Sequence, residues 1–153
     1  MPRVMGILNT TPDSFSDGGL WYARGDALKH AAAMAEEGAD IIDIGGESTR
    51  PGAGAVTVQQ ELARVIPVIE AVTSETGLPV SIDTSKPQVM EAAVRAGAAM
   101  INDVYALRQP GALETAAQLN VPVCLMHMQG EPRDMQRDPH YENVVREVEG
   151  FLL

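Results

Sequence analysis

The sequence predicts an α/β protein built from repeated βα units around a parallel sheet, and three observations carry that reading. Five short apolar runs each end in a burst of polar, Gly and Pro residues. RVMGIL runs into NTTPDSFSDGG, DIIDIG into GESTRPGAG, PVSI into DTSKP, AAMI into NDVYA, and PVCLM into HMQGEP. Each burst then opens a stretch with helical periodicity. The runs are nearly continuous in apolar character rather than alternating, as strands covered on both faces are. In a (β/α) barrel the chemistry is built at the C-terminal ends of the strands, and the polar bursts sit there.

Taken in order, strand one is expected over Val4–Leu8. The first helix follows over Gly25–Glu37, with Ala27, Leu28, Ala31, Met34 and Ala35 as its apolar stripe and Gly38 as its stop. Strand two covers Asp40–Ile44. The second helix spans Val58–Glu75, with Val58, Leu62, Val65, Ile66, Ile69 and Val72 on one face; Pro67 should kink or break it, and Gly77 closes it. Strand three is Val80–Ile82. Ser85 is the candidate N-cap of the third helix, Pro87 suits its first turn, and Gly97 ends it. Strand four is Ala99–Ile101, and Pro110 opens a fourth helix that ends near Asn120. Strand five is Val121–Met126, and a last helical pattern begins near His140. Gly38-Ala39-Asp40 and Gly97-Ala98-Ala99 look like the same helix stop used twice, as repeated units would do.

The chain has 153 residues, one domain's worth, read as a single domain over 1–153. Lys and Arg number 11 against 21 Asp and Glu, a net charge of −10, which argues against nucleic acid or an anionic membrane as a partner. A small anion is still admissible, because a few local donors suffice for one. The lone Cys124 lies in an apolar run, is expected to be buried as a small hydrophobe, and permits no disulfide within the chain. With neither a membrane-length apolar run nor a secretory leader, a cytoplasmic setting is expected.

Several residues at the strand ends have chemistry to offer. Asp83 follows strand three directly, where a carboxylate can accept two N–H donors from a planar heterocycle. Asn102 stands in the same place after strand four, and its amide both donates and accepts. The two form a candidate clamp for a pyrimidinone-like edge; capping of their own loops is the plainer role. Asn9 ends strand one and could offer an oxygen to Mg2+, which keeps most of its waters. The run Gly45–Gly52 packs hydroxyls, Arg50 and close-approach glycines into one anion-binding candidate, without the Gly-Lys-Ser/Thr of a P-loop. Phe15 is too apolar for a casual tip of the Asp13–Gly19 loop. No metal-spaced His pair, CxxC or Gly-x-Ser-x-Gly elbow is present, and His127 reads as structural.

Together, Met5–Gly19 (MGILNTTPDSFSDGG), Asp43–Ala53 (DIGGESTRPGA), Ser81–Pro87 (SIDTSKP), Ile101–Val104 (INDV) and Leu125–Gly130 (LMHMQG) resemble the dihydropteroate synthase family of folate biosynthesis, in the family's own order. The resemblance implies a TIM-type (β/α)8 barrel, of which about the first five βα units are present. It implies a transferase that condenses 4-aminobenzoate with a dihydropterin methyl diphosphate to give dihydropteroate and pyrophosphate, with Mg2+ as cofactor. By resemblance Asn9 is the metal-linked asparagine, Thr49 and Arg50 meet the diphosphate, and Asp83 and Asn102 bind the pterin. Val104 and Met126 form apolar pocket walls, and Phe15 and Pro51 belong to the two loops around the diphosphate and the aminobenzoate. No covalent nucleophile is implied. A homodimer is among the assemblies open to it. The family's later pterin- and diphosphate-binding loops and its short leader have no counterpart in this sequence. The chain is therefore expected to be catalytically deficient by itself. A corrinoid-type pterin-binding methyltransferase domain, which shares the fold and the clamp, and a non-catalytic fragment are the alternative readings.

Overall fold

The computed structural model of the chain describes residues 2–10, 19–48, 55–132 and 134–153, and only the backbone of 19–24. Five βα units follow one another: β1 (Met5–Asn9), α1 (Gly19–Glu36), β2 (Ile41–Gly45), α2 (Val58–Thr76), β3 (Val80–Asp83), α3 (Pro87–Arg95), β4 (Met100–Asp103), α4 (Ala112–Leu119), β5 (Val123–Leu125) and α5 (Val144–Leu152). The strands lie in chain order in one sheet, and every pairing is parallel. β1 and β5 are the two edges of that sheet as described. Among the described residues no helix is long and apolar enough to cross a membrane.

Period-two alternation sorts each strand into two faces. Leu8, Ile42, Ile44, Val80, Ile82 and Ile101 are completely or almost completely buried on the face that meets the helices. Val65, Ile69 and Val72 of α2 and Val89, Met90 and Ala93 of α3 close over them, with Ala27 and Ala31 of α1 and Ala112 and Ala116 of α4 at the flanks. The opposite face carries Ile7, Asn9, Asp43, Gly45, Ser81, Asp83, Met100, Asn102 and Cys124, as the strand register requires.

The strands reach further than their apolar residues. Four of them end one or two positions later than expected, so Asn9, Gly45, Asp83, Asn102 and Asp103 are strand residues. Backbone pairing does not depend on side-chain polarity, so a ladder continues through a polar end when its neighbours do. β5 is instead shorter than Val121–Met126, since it pairs on one side only and Pro122 has no N–H to give.

Helix starts moved for identifiable reasons. α1 begins at Gly19, not Gly25, because an internal Gly costs a helix only about 1 kcal/mol. α2 runs through Pro67 without ending, held by a Thr57–Gln60 capping box at its start and by buried Val65, Val68 and Ile69 around the proline. Gly77 closes it in the left-handed region, at φ +67°. Ser85 does not cap α3. Lys86 occupies that position in extended backbone, as the residue before a proline prefers, and the Ser85 hydroxyl goes to Asp103 instead. α4 starts at Ala112, two residues after Pro110. α5 starts at Val144, where the Asn143 side chain accepts from the Arg146 N–H at 3.1 Å. Cys124 is exposed rather than buried, since it lies on the strand β5 at the edge.

These packing differences have a direct test. Ile82→Ala removes a fully buried side chain from the centre of the sheet and should cost about 2–5 kcal/mol in urea unfolding. Cys124→Ser should change stability by less than about 0.5 kcal/mol. Equal losses in the two variants would mean that the core does not lie between this sheet and its helices.

Candidate functional site

The register aligns one residue from each strand end into a row: Asn9 beside Gly45, Gly45 beside Asp83, Asp83 beside Asn102. Gly45 keeps the row open. A Cβ there would stand 3.4 Å from Asp83 Oδ2 and 3.7 Å from Asn9 Oδ1, so the missing side chain leaves a gap between a carboxylate and an amide. One layer deeper on the same face lie Asp43 and Ser81, both buried. The Asn102 amide donates to Asp43 Oδ2 at 3.0 Å, reaching across β3. Asp43 Oδ1 and Ser81 Oγ make no hydrogen bond of ordinary geometry, although Ser81 stands close enough to Asp43 to favour its ionised form.

Beside this row the loops after β2, β3 and β4 enclose a cavity of about 360 Å3. Asp83 and Val104 line it, together with Glu47, Glu61, Lys86 and Tyr105. Lys86 Nζ binds Glu47 Oε2 and Glu61 Oε2 at once. Burial works against the Lys86 ammonium, but the hydrogen bonds and charges of the two glutamates outweigh it, and its pKa lies above the ordinary lysine value. Asp103 is fully buried, and its carboxylate accepts from the Ser85 hydroxyl and from the N–H groups of Tyr105 (2.9 Å) and Leu107 (2.8 Å). That bond set stitches the β3 and β4 loops together.

Asp83 is in a different position. Its pKa is pushed up to about 7, first by burial and then by the charges of Asp43, Asp103, Glu61 and Glu47. Burial also raises Asp43, with Ser81 and Asn102 working in the opposite direction. A carboxyl perturbed by burial and neighbouring charge in the wall of a cleft makes Asp83 a candidate functional residue.

Of the residues singled out from the sequence, Asp83 and Val104 share the cavity. Asn102 is the register partner of Asp83, but its amide turns down to Asp43. Asn9 is exposed at the end of β1, and Met126 is half-buried past the end of β5; neither is in the cavity wall. Phe15, Thr49, Arg50 and Pro51 lie outside the described residues, as do most of the two loops that carry them. Sequence reasoning missed Asp43, Ser81, Glu61, Lys86 and Asp103. Asp43 was legible, since a charged residue inside the run DIIDIG has to face something polar. Glu61 was legible in the same way, being four positions before Val65 on the apolar face of α2. The role of Lys86 was not, because its two partners lie 25 and 39 residues away.

The profile of the pterin-binding enzyme family matches residues 5–153. The chain belongs to that family. It is 55% identical over 152 residues to the dihydropteroate synthase of Escherichia coli K12, a match that covers 99% of this chain and 54% of the relative. A solved Xanthomonas albilineans dihydropteroate synthase with 4-aminobenzoic acid superposes with a TM-score of 0.86 at 62% identity, over 99% of this chain and 53% of the other. The same organism's enzyme in complex with 7,8-dihydropteroate gives a TM-score of 0.82 at 58% identity, over 99% and 52%. The chain thus spans about half the length of the dihydropteroate synthases it matches. The five βα units are those of the TIM-type barrel of this family, and the polar row occupies their C-terminal strand ends.

The raised carboxyl of this pterin-family site makes stability depend on pH. With a folded pKa near 7 against 3.8 as the ordinary value, Asp83 favours the fold while protonated. Its contribution is complete below about pH 4 and is lost as pH rises through 7, at most about 4 kcal/mol before solvent screening reduces it. Asp83→Asn should flatten the pH 4–8 slope of urea stability and raise stability at pH 8. An unchanged slope would show that Asp83 titrates normally in the fold.

Proposed function

We propose that this site binds a dihydropterin methyl diphosphate and 4-aminobenzoate and, in the intact protein, condenses them to dihydropteroate and pyrophosphate. The observation that carries the reading is the acceptor-rich row at the strand ends. Asp83 has no cationic partner among the described residues, and the Asn102 amide reaches across its strand to the buried Asp43. A pterin presents several N–H donors along one edge, which is the complement such a row lacks. The ligands held by the Xanthomonas albilineans enzymes, 4-aminobenzoic acid and 7,8-dihydropteroate, are a substrate and the product of this reaction.

The chemistry asks little of the protein beyond placement. The aromatic amine attacks the pterin methylene carbon, a C–N bond forms, and the C–O bond to the diphosphate breaks. The bonding pair leaves with pyrophosphate, and the anilinium proton passes to solvent. Electron release from the pterin makes the step largely dissociative, so positioning and charge stabilisation supply the catalysis. On this reading no covalent nucleophile is needed. Thr49 and Arg50 are the proposed diphosphate contacts, Val104 and Met126 the proposed apolar walls, and Phe15 and Pro51 the proposed loop contacts.

Among the described residues no cluster of three or more His, Cys, Asp or Glu could hold a metal ion. Mg2+ does not need one, because it is commonly held by one or two protein oxygens together with substrate phosphates and water. Asn9, exposed at the end of β1 with its Oδ1 beside the open Gly45 position, fits as such a ligand. When bound, the ion would neutralise charge on the departing diphosphate.

Calorimetry on the intact protein tests the reading. The dihydropterin diphosphate should bind in the presence of Mg2+, aminobenzoate should then bind, and pyrophosphate should be released. Asp83→Asn should raise the pterin Kd about tenfold or more, the value of one charge-assisted hydrogen bond. For a dihydropterin alcohol, which has no ionising diphosphate, wild-type affinity should also tighten as pH rises from 6 to 8, because the acceptor is the ionised carboxylate, and the Asn variant should lose that dependence. Wild-type Kd in the variant would overturn the assignment of Asp83.

A further inference from the structure

The loop that leaves β2 at Glu47 and returns at Val56 is clipped at its base. Glu47 uses both carboxylate oxygens: Oε1 accepts the Val56 N–H at 3.1 Å, and Oε2 is held by Lys86 Nζ. Lys86 in turn is held by Glu61, whose side chain is 1% exposed on α2. Just before the loop, Arg64 of α2 donates to the Gly46 carbonyl at 2.8 Å. Gly46 permits that approach: a Cβ there would come within 2.8 Å of Val65 Cγ1 and 2.9 Å of Glu61 Cγ. The base of the loop is thus fixed to α2 on one side and to the end of β3 on the other, with the Lys86 ammonium as the joint.

Stability alone is a poor explanation for this arrangement. Buried ion pairs seldom outperform apolar side chains of the same volume, because desolvation offsets the attraction. What a joint of charges does supply is direction. An ammonium between two carboxylates fixes both, and it does so here in the wall of the cavity that holds Asp83. The span between the two clipped ends carries Thr49, Arg50 and Pro51, the residues proposed to meet the diphosphate and the aminobenzoate.

We propose that Lys86 is a positioning residue: acting through Glu47, it fixes the two described ends, Glu47 and Val56, of the loop proposed to meet the diphosphate. This rests on the reading of the site as one for a pterin diphosphate and aminobenzoate. Lys86 also screens the Glu47 and Glu61 carboxylates, which would otherwise repel an arriving anion and each other.

The test compares three variants of the intact protein. Glu47→Ala removes the loop side of the joint. Lys86→Met combined with Glu61→Gln removes the ammonium without stranding a buried charge. Lys86→Arg keeps a cation. Four quantities are read: the Kd for inorganic pyrophosphate, the Kd for a dihydropterin alcohol lacking the diphosphate, KM against kcat for aminobenzoate, and hydrogen exchange at the Val56 amide. Loss of positioning should weaken pyrophosphate and raise the aminobenzoate KM by about tenfold each. Val56 exchange should quicken, the pterin alcohol should bind as before, and Lys86→Arg should stay near wild type. Wild-type pyrophosphate affinity and KM in the first two variants would overturn the proposal, and so would a parallel loss of pterin-alcohol affinity, which would mark general damage. Should the wild-type protein bind neither pterin nor pyrophosphate, the reading of the site fails on its own account, and unchanged Val56 exchange in the variants would separately overturn the role of Lys86 at the loop base.

Discussion

Crowding of carboxylates at the C-terminal end of a parallel sheet is the constraint to which the rest of the site answers. Asp83 feels four others, Asp43, Asp103, Glu61 and Glu47. In a partly buried setting such a set is unfavourable unless each member finds a partner. Each of the four has one. Asp103 takes a hydroxyl and two backbone N–H groups, Asp43 takes the Asn102 amide, and Glu47 and Glu61 share Lys86. Asp83 has no cationic partner among the described residues, and burial first, then the charge of these four neighbours, pushes its pKa up to about 7. Each of its four neighbours has at least one donor within the fold.

The outline of the fold was legible because its signals are local. Apolar runs, the glycine stops at Gly38, Gly77 and Gly97, and prolines near helix starts are read within a few residues, and the five βα units follow from them. What was misjudged depends on distant parts of the chain. Strand ends were placed at the last apolar residue, whereas pairing with a neighbour carries β4 on through Asn102 and Asp103. Cys124 looked like a core residue because Val123 and Leu125 flank it; that an edge strand would leave it exposed depends on sheet order. Ser85 has the composition of a cap, yet its hydroxyl is taken by Asp103, 18 residues away.

The site was legible only where one side chain could announce itself. Asp83 and Asn102 stand out directly after apolar runs, and the register places them side by side. That Asn102 serves Asp43 could not be seen, because the two are separated by 59 residues and a whole intervening strand. Ser81 passed as an ordinary strand residue, although it is a small side chain on that intervening strand, between Asp43 and Asn102. Pairwise geometry of this kind belongs to the sheet, and no window of sequence contains it.

The two halves of the proposed substrate make opposite electrostatic demands, and the arrangement divides them. A pterin edge rich in N–H groups suits a row of acceptors, whereas a diphosphate would be repelled by it. The described strand ends supply the first environment and not the second: Lys86, the one cationic side chain among the described residues that line the cavity, is engaged by two glutamates. On the proposed reading, Arg50 and a cation held by Asn9 are the candidates that this chain offers for compensating the diphosphate. The Glu47 carboxylate stands at that boundary, bound to the joint beneath it and to the returning backbone of the loop above. A pterin seated on Asp83 would then carry its methylene outward to where the charge requirement changes sign. On that reading the C–O bond that breaks would lie at that place, with charge developing on the leaving oxygen away from the carboxylates rather than toward them.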